Sequence, residues 1–174
     1  MKNRKRIGIF ASMVIILCFI YIYADWDMIK LKNGYARPLI ITGDQYNEKP
    51  IPIKVPKHKF KKLNISITDL YYYPESQEIH YGLWYKKWSH RGDQIPWHVF
   101  DVSFVVDSGK VFSGDYVAKR DGLIDAFQIR ANREVTLQKT KTLKMIITSV
   151  KQEGKTITPI VKEEINIELP QLTN

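Results

Sequence analysis

Apolar positions follow two regimes along this chain: one unbroken block near the start, then a series of short alternating stretches. Ile7 to Ala24 run for 18 residues without a charged side chain. A helix of that length reaches roughly 27 Å, close to the ~30 Å hydrocarbon core of a bilayer. Ten of these residues are Ile, Val, Leu or Phe, each favouring insertion by roughly 0.3–0.6 kcal/mol at the helix centre. Tyr21, Tyr23 and Trp26 fall at the far boundary, where amphipathic rings settle among headgroups. The block therefore predicts a transmembrane signal anchor over residues 7–24. Lys2, Arg4, Lys5 and Arg6 precede it, while Asp25 and Asp27 follow. That asymmetry predicts a single-pass protein of the cell membrane, with a cytoplasmic basic segment at 1–6 and residues 25–174 outside the cell. Cleavage after Ala24 is the competing reading, with Ile22-Tyr23-Ala24 as a poor cleavage site. Lipidation at Cys18 fits badly, because Leu17 precedes it and the apolar run continues beyond it.

Alternation begins near residue 60. Leu63, Ile65 and Ile67 repeat at the period of a half-buried strand that includes Asn64, as do Ile79, Tyr81, Leu83 and Tyr85. Phe100, Val102, Phe104 and Val106 give the clearest apolar face, followed by the hairpin residues Asp107-Ser108-Gly109-Lys110 and a restart at Val111-Phe112. Leu143, Met145 and Ile147 lead to a turn at Gln152-Glu153-Gly154-Lys155, and Ile165, Ile167 and Leu169 form a last strand. Residues 122–137 are ambiguous. Leu123, Phe127 and Arg130 fit a helix, Phe127 and Ile129 fit a strand, and the strand is the reading adopted. About seven strands separated by turn signals predict an all-β fold, an immunoglobulin-like β-sandwich over residues 60–170.

Between anchor and sandwich lies a stretch of different character, 25–59. It holds Pro38, Pro50, Pro52 and Pro56 with Gly34 and Gly43. Leu39-Ile40-Ile41 suits one short strand, whereas Pro50-Ile51-Pro52-Ile53 donates too few amides to sit inside a sheet. The expectation is a Pro-rich extracytoplasmic tether, semi-extended and packed along the following domain. The basic run Lys54, Lys57, His58, Lys59, Lys61 and Lys62 reads first as a solvated linker and second as an attraction for an anionic surface.

Basic terminus, anchor, Pro-rich tether, the strand Leu63-Asn64-Ile65-Ser66-Ile67, the hairpin segment from Phe100 to Gly114 and a final alternating strand occur in that order. The arrangement resembles the small membrane-anchored, Ig-like extracytoplasmic domains of Gram-positive bacteria. The resemblance covers roughly residues 60–170, implies a fold and a place, and carries over no catalytic residue.

Composition adds exclusions. A single cysteine leaves no internal disulfide framework and no multi-cysteine zinc site. The net charge of +9 includes four basic residues in the first six, so the outer part carries only about +5. That modest excess does not predict nucleic-acid binding. No P-loop, HExxH or Gly-x-Ser-x-Gly element occurs, and His58, His80, His90 and His98 lack close ligand spacing. No cofactor, metal or catalytic residue is expected. Arg91-Gly92-Asp93 reads as a polar turn, and Leu169 to Asn174 lacks the apolar tail of a wall-sorting signal.

One feature exceeds background. Nine aromatic residues fall between positions 71 and 100, among them Trp84, Trp88 and Trp97. If Tyr81, Leu83 and Tyr85 face a core, Trp84 and Trp88 face away with His80 and Lys86. They then either pack beneath the tether or form a platform for a ligand or partner. The leading functional expectation is a non-enzymatic envelope protein whose sandwich binds an envelope protein partner or senses conditions at the membrane. The alternative is a module for carbohydrate or anionic wall polymer, resting on Trp84, Trp88, Trp97 and nearby basic residues. An envelope enzyme using His80, His98 or Asp101 is the third reading.

Overall fold

The computed structural model describes residues 2–33, 49–90, 100–153 and 156–170. Helix α1 (Lys2–Ala24) contains the apolar block, and its window Ile7–Ala24 is long and apolar enough to cross a membrane, with none of it buried. Helix α2 (Trp26–Lys32) follows after one residue. Asp25 does not interrupt the helical hydrogen bonds. Its N–H donates to the Tyr21 carbonyl at 2.9 Å, and its own carbonyl accepts from Ile29 N–H at 2.9 Å. The two helices are joined through Asp25, whose backbone (φ −104°, ψ 18°) departs from the helical values.

The stretch read as a tether thus begins as helix, and it ends as sheet. Strands β1 (Ile51–Ile53) and β2 (Lys59–Phe60) both belong to the first sheet. Pro52 is tolerated because β1 is an edge strand, pairing only with β4 (Leu70–Tyr73) among the described residues. The short strand expected at Leu39-Ile40-Ile41 lies outside the described residues.

Both sheets are antiparallel, and they pack as a sandwich. In the first, β8 (Asp115–Asp121) pairs with β9 (Asp125–Asn132), which pairs with β5 (Glu78–Lys86). The other flank of β5 is shared end to end by β3 (Ile65–Ile67) and β4, with β2 and β1 outside them. The second sheet runs β11 (Thr156–Glu168), β10 (Thr142–Glu153), β6 (Phe100–Val106), β7 (Val111–Ser113). The strand expected from Leu63 starts later, at Ile65, because Asn64 takes a positive φ of 52° in the preceding turn.

The alternating faces meet in one core. Ile79, Tyr81, Leu83 and Tyr85 of β5 oppose Phe100, Val102, Phe104 and Val106 of β6, with Leu143, Met145, Ile147, Ile165 and Ile167 beside them. Tyr81 meets Phe104 edge to face, with ring centroids 5.7 Å apart.

Strand β9 occupies the ambiguous segment 122–137, and its polarity is inverted. Phe127 and Ile129 face away from the sandwich core, whereas Gln128, Arg130 and Asn132 pair with Leu83, Tyr81 and Ile79 and face into it. Buried polar groups need partners; Arg130 and Asn132 find them, whereas the buried Gln128 amide has none among the described residues. Arg130 donates to the Phe100 carbonyl at 2.7 Å, and Tyr81 donates its hydroxyl hydrogen to Asn132 Oδ1 at 3.1 Å. Asn132 Nδ2 in turn donates to the Gly114 carbonyl at 3.3 Å.

Candidate functional site

The outer face of the first sheet needs a cover, because Phe127 and Ile129 of β9 and Trp84 of β5 lie on it. Helix α2 provides that cover. Met28 is buried against Phe127 and Ile129, with Leu31, Trp84 and Ala118 completing a second apolar cluster. The spacing Met28/Leu31 puts both side chains on one helix face. Polar contacts fix each end of the helix. Asp25, at its start, is buried, and its Oδ1 accepts the Leu123 backbone N–H at 2.8 Å. Lys32, in its last turn, is ion-paired with buried Asp125, which also meets Lys86 Nζ at 3.1 Å.

Where α2 ends, it leaves a cleft of about 280 Å³ against the sheet. Lys32 and Asn33 line one wall; His58, Thr68, Asp69, Tyr71 and Trp84 line the other. The sheet wall is shaped by an irregularity between β3 and β4. Ile67 and Leu70 both face the core, so two residues, Thr68 and Asp69, must be accommodated between them. Thr68 N–H donates to the Gly82 carbonyl and its Oγ1 accepts the Gly82 N–H, both at 2.9 Å, which closes the ladder locally. The Asp69 side chain turns outward, accepting Val55 N–H at 3.0 Å.

His58 bridges the wall. Its Nδ1 lies 3.0 Å from the Ile67 carbonyl, an acceptor only, so Nδ1 carries a proton. Nε2 faces Asp69 Oδ1 at 3.6 Å. Burial, then the Asp69 carboxylate, pushes the Tyr71 phenol above its ordinary 10.0, so that it stays a neutral donor at physiological pH. Carboxylate, phenol, imidazole and the edge of the half-buried indole meet here beside the Asp125-paired Lys32: the cleft can exchange hydrogen bonds with hydroxyl groups and offers one apolar wall.

The aromatic residues singled out in the sequence separate. Trp84 is half-buried beneath α2 and stacks on Phe127, with centroids 6.0 Å apart and planes within 11°. Strand β5 stops at Lys86, so Trp88 sits in the 3-10 turn Lys87–His90, exposed, with Lys86 Nζ 5.5 Å from its ring. Trp97, His98 and Arg91-Gly92-Asp93 lie outside the described residues. His80 is buried on the outer face of the first sheet, its Nε2 2.7 Å from Glu78 Oε2, and Arg133 Nε meets Glu78 Oε1 at 3.1 Å. Asp101 is exposed on the second sheet, so the fold does not bring it to His80. Among the described residues, no three His, Cys, Asp or Glu side chains converge as a metal-ligand group.

Sequence reasoning missed Lys32, Asp69 and Tyr71 and placed His58 in a linker. One signal was available: apolar positions change parity between Ile65/Ile67 and Leu70/Tyr72, which marks a kink at Thr68-Asp69.

Comparison with protein-family models, with curated proteins and with solved structures finds no match.

Proposed function

We propose that this chain is a non-enzymatic, single-pass envelope protein with a cytoplasmic N-terminus and an extracytoplasmic, immunoglobulin-like sandwich. In this reading it senses a hydroxyl-rich ligand, such as a sugar unit of a wall polymer, at the joint between anchor and sandwich. One observation carries the proposal. The cleft is shared, with Lys32 and Asn33 coming from the helix that prolongs the span and Asp69, Tyr71 and Trp84 from the sheet. A ligand touching both walls binds the docked arrangement better than the undocked one, and so shifts the balance between them. A partner protein in the envelope reads the change. An apolar wall from the indole and hydrogen bonds to Asp69, Tyr71 and His58 suit a saccharide. Lys32 and Lys86, which share the one carboxylate of Asp125, leave an excess positive charge beside it for an anionic polymer.

The test is calorimetric titration of the full chain in lipid nanodiscs with soluble wall saccharides, neutral and anionic. Saturable binding is expected, and Asp69→Asn or Tyr71→Phe should weaken it about tenfold, equivalent to ~1.4 kcal/mol. Trp88→Ala, outside the cleft, should leave it unchanged. No saturable binding, or equal binding by wild type and the cleft variants, overturns the reading.

A further inference from the structure

The end of the sandwich from which α1 departs is defined by hydrogen bonds. Asp25, the first residue after the apolar window, holds Leu123 in the turn between β8 and β9. Lys87 N–H donates to the Ile124 carbonyl at 3.0 Å, which sets the turn Lys87–His90 beside it. The rings of Tyr85 and His90 meet Phe100 with centroids 5.6 and 5.2 Å away, so β6 begins at this same end. Phe100 pairs with Ser149, the last residue of β10 in register with β6. Beyond it, among the described residues, the pairs from Val150↔Pro159 to Glu153↔Thr156 continue as a two-stranded ribbon. Four pairs at ~3.4 Å each carry the ribbon roughly 13 Å beyond the start of β6 at Phe100.

Exposed apolar side chains collect at this end. Trp88, Leu123, Ile157 and Ile160 each leave more than half of their surface open, and Trp26 does so at the head of α2. Basic residues surround them: Lys86, Lys87, Lys119, Arg120 and Lys151. Of the nearby carboxylates, Asp125 is buried with Lys32 and Lys86, Asp121 is ion-paired with Lys87 and Lys119, Asp101 and Asp27 are exposed, and Glu153 lies in the ribbon. Tryptophan, leucine and isoleucine framed by lysine match the interface of a bilayer, where apolar groups enter the headgroup layer and ammonium groups meet phosphate.

We infer that this end of the sandwich lies on the bilayer that α1 enters, with Trp88, Leu123 and the Ile157/Ile160 ribbon in the headgroup layer and the surrounding lysines on anionic lipid. The inference rests on the anchored reading above. It adds a second attachment, which fixes the tilt of the sandwich over the membrane and turns the cleft to a constant height above it.

The test uses the full chain in vesicles of phosphatidylcholine mixed with phosphatidylglycerol and carrying nitroxide-labelled lipids. Cys18, the one cysteine, takes a fluorophore as it stands. In a Cys18→Ser background, Leu123→Cys, Ile157→Cys and Val111→Cys take the same label. Val111 is the control: it is exposed and pairs with Val105, at the opposite end of β6. Labels replacing Leu123 and Ile157 should be quenched several-fold more than the label replacing Val111, and best by nitroxides at headgroup depth. The Cys18 label should be quenched best by nitroxides along the acyl chain. Equal quenching at all three ectodomain positions, with Cys18 quenched, overturns the surface and leaves the span standing. An unquenched Cys18 overturns both. Shielding of the ribbon label that fades on dilution in lipid, without nitroxide quenching, assigns the ribbon to contacts between copies and also overturns the inference.

Discussion

The ring of Phe127 lies over Gly82, so close that a β-carbon at residue 82 would stand 2.1 Å from the ring Cζ. Gly82 pairs with Ile129 while Phe127 pairs with Trp84, so the ring crosses diagonally onto the glycine on the face that α2 covers. Gly82→Ala is expected to cost about 1–3 kcal/mol through overpacking. Phe127→Ala should cost about 3–5 kcal/mol, because the ring is fully buried. The double variant should cost clearly less than the two together, since removing the ring clears space for the new methyl. Denaturant unfolding of all four proteins measures the coupling, and strict additivity would contradict the contact.

Docking of α2 depends on Asp25. Asp25→Ala leaves the partly buried Leu123 amide without its acceptor, which should cost about 1 kcal/mol. The loss should be local. Hydrogen exchange is expected to quicken at the α2 amides and at Leu123, while the core strands β5 and β10 keep their protection. Asp25→Asn retains an acceptor oxygen and should behave more like wild type. Uniform loss of protection across the sandwich in Asp25→Ala would show that helix and sheet unfold as one unit.

Three neighbouring residues rank the faces of β5. Leu83→Ala should cost about 2–5 kcal/mol through the core cavity it leaves. Trp84→Ala, half-buried between α2 and Phe127, should fall below the ~3–5 kcal/mol of a fully buried tryptophan, near about 1–3 kcal/mol. Trp88→Ala should stay within about 0.5 kcal/mol in detergent solution, because more than half of its surface is exposed. Thermal unfolding of the three variants tests the order, and a costly Trp88→Ala would place its ring in a packed site.

The same faces show how far the sequence could be read. Strands with one wet face, such as β6 and β11, were legible because Phe100, Val102 and Phe104 or Ile165 and Ile167 alternate with polar residues. Strand β9 was read as a strand, but its faces were not legible, since both are covered: α2 closes over Phe127 and Ile129, and the inner face carries the polar Gln128 with hydrogen-bonded Arg130 and Asn132. Alternation with inverted polarity looks like noise until the cover is known. Prolines misled in the opposite direction. Pro52 argues against a central strand, yet its strand is an edge, where a missing amide goes unnoticed. The outward direction of Trp84 followed from period two, but what covers it did not, because α2 lies more than fifty residues away in the chain. The cleft depends on the same long-range contact and on the kink at Thr68-Asp69, so its residues carried no local mark beyond the change of parity.

Acid should loosen the end of the sandwich opposite the anchor. Asp107 begins the hairpin between β6 and β7, where Gly109 supplies the positive φ of 81° that the turn requires. Its carboxylate accepts the Thr142 hydroxyl hydrogen, the Lys141 N–H at 2.6 Å and the Thr142 N–H at 3.2 Å, so it ties this hairpin to the start of β10. Those bonds, the Thr142 hydroxyl first, hold the carboxyl below its ordinary 3.8. As pH falls, the unfolded chain therefore takes up the proton before the folded one does. The stabilisation is whole above about 3.8 and drains away as pH drops through the lower folded value. Asp107→Asn keeps one acceptor oxygen without the charge, so it should be less stable than wild type near neutrality. The gap should close as pH falls below about 3.8, where the wild-type carboxyl is itself protonated. Unfolding curves for both proteins across that range measure it. A gap that stays constant into acid would mean that the bonds act through shape alone, not through the carboxylate charge.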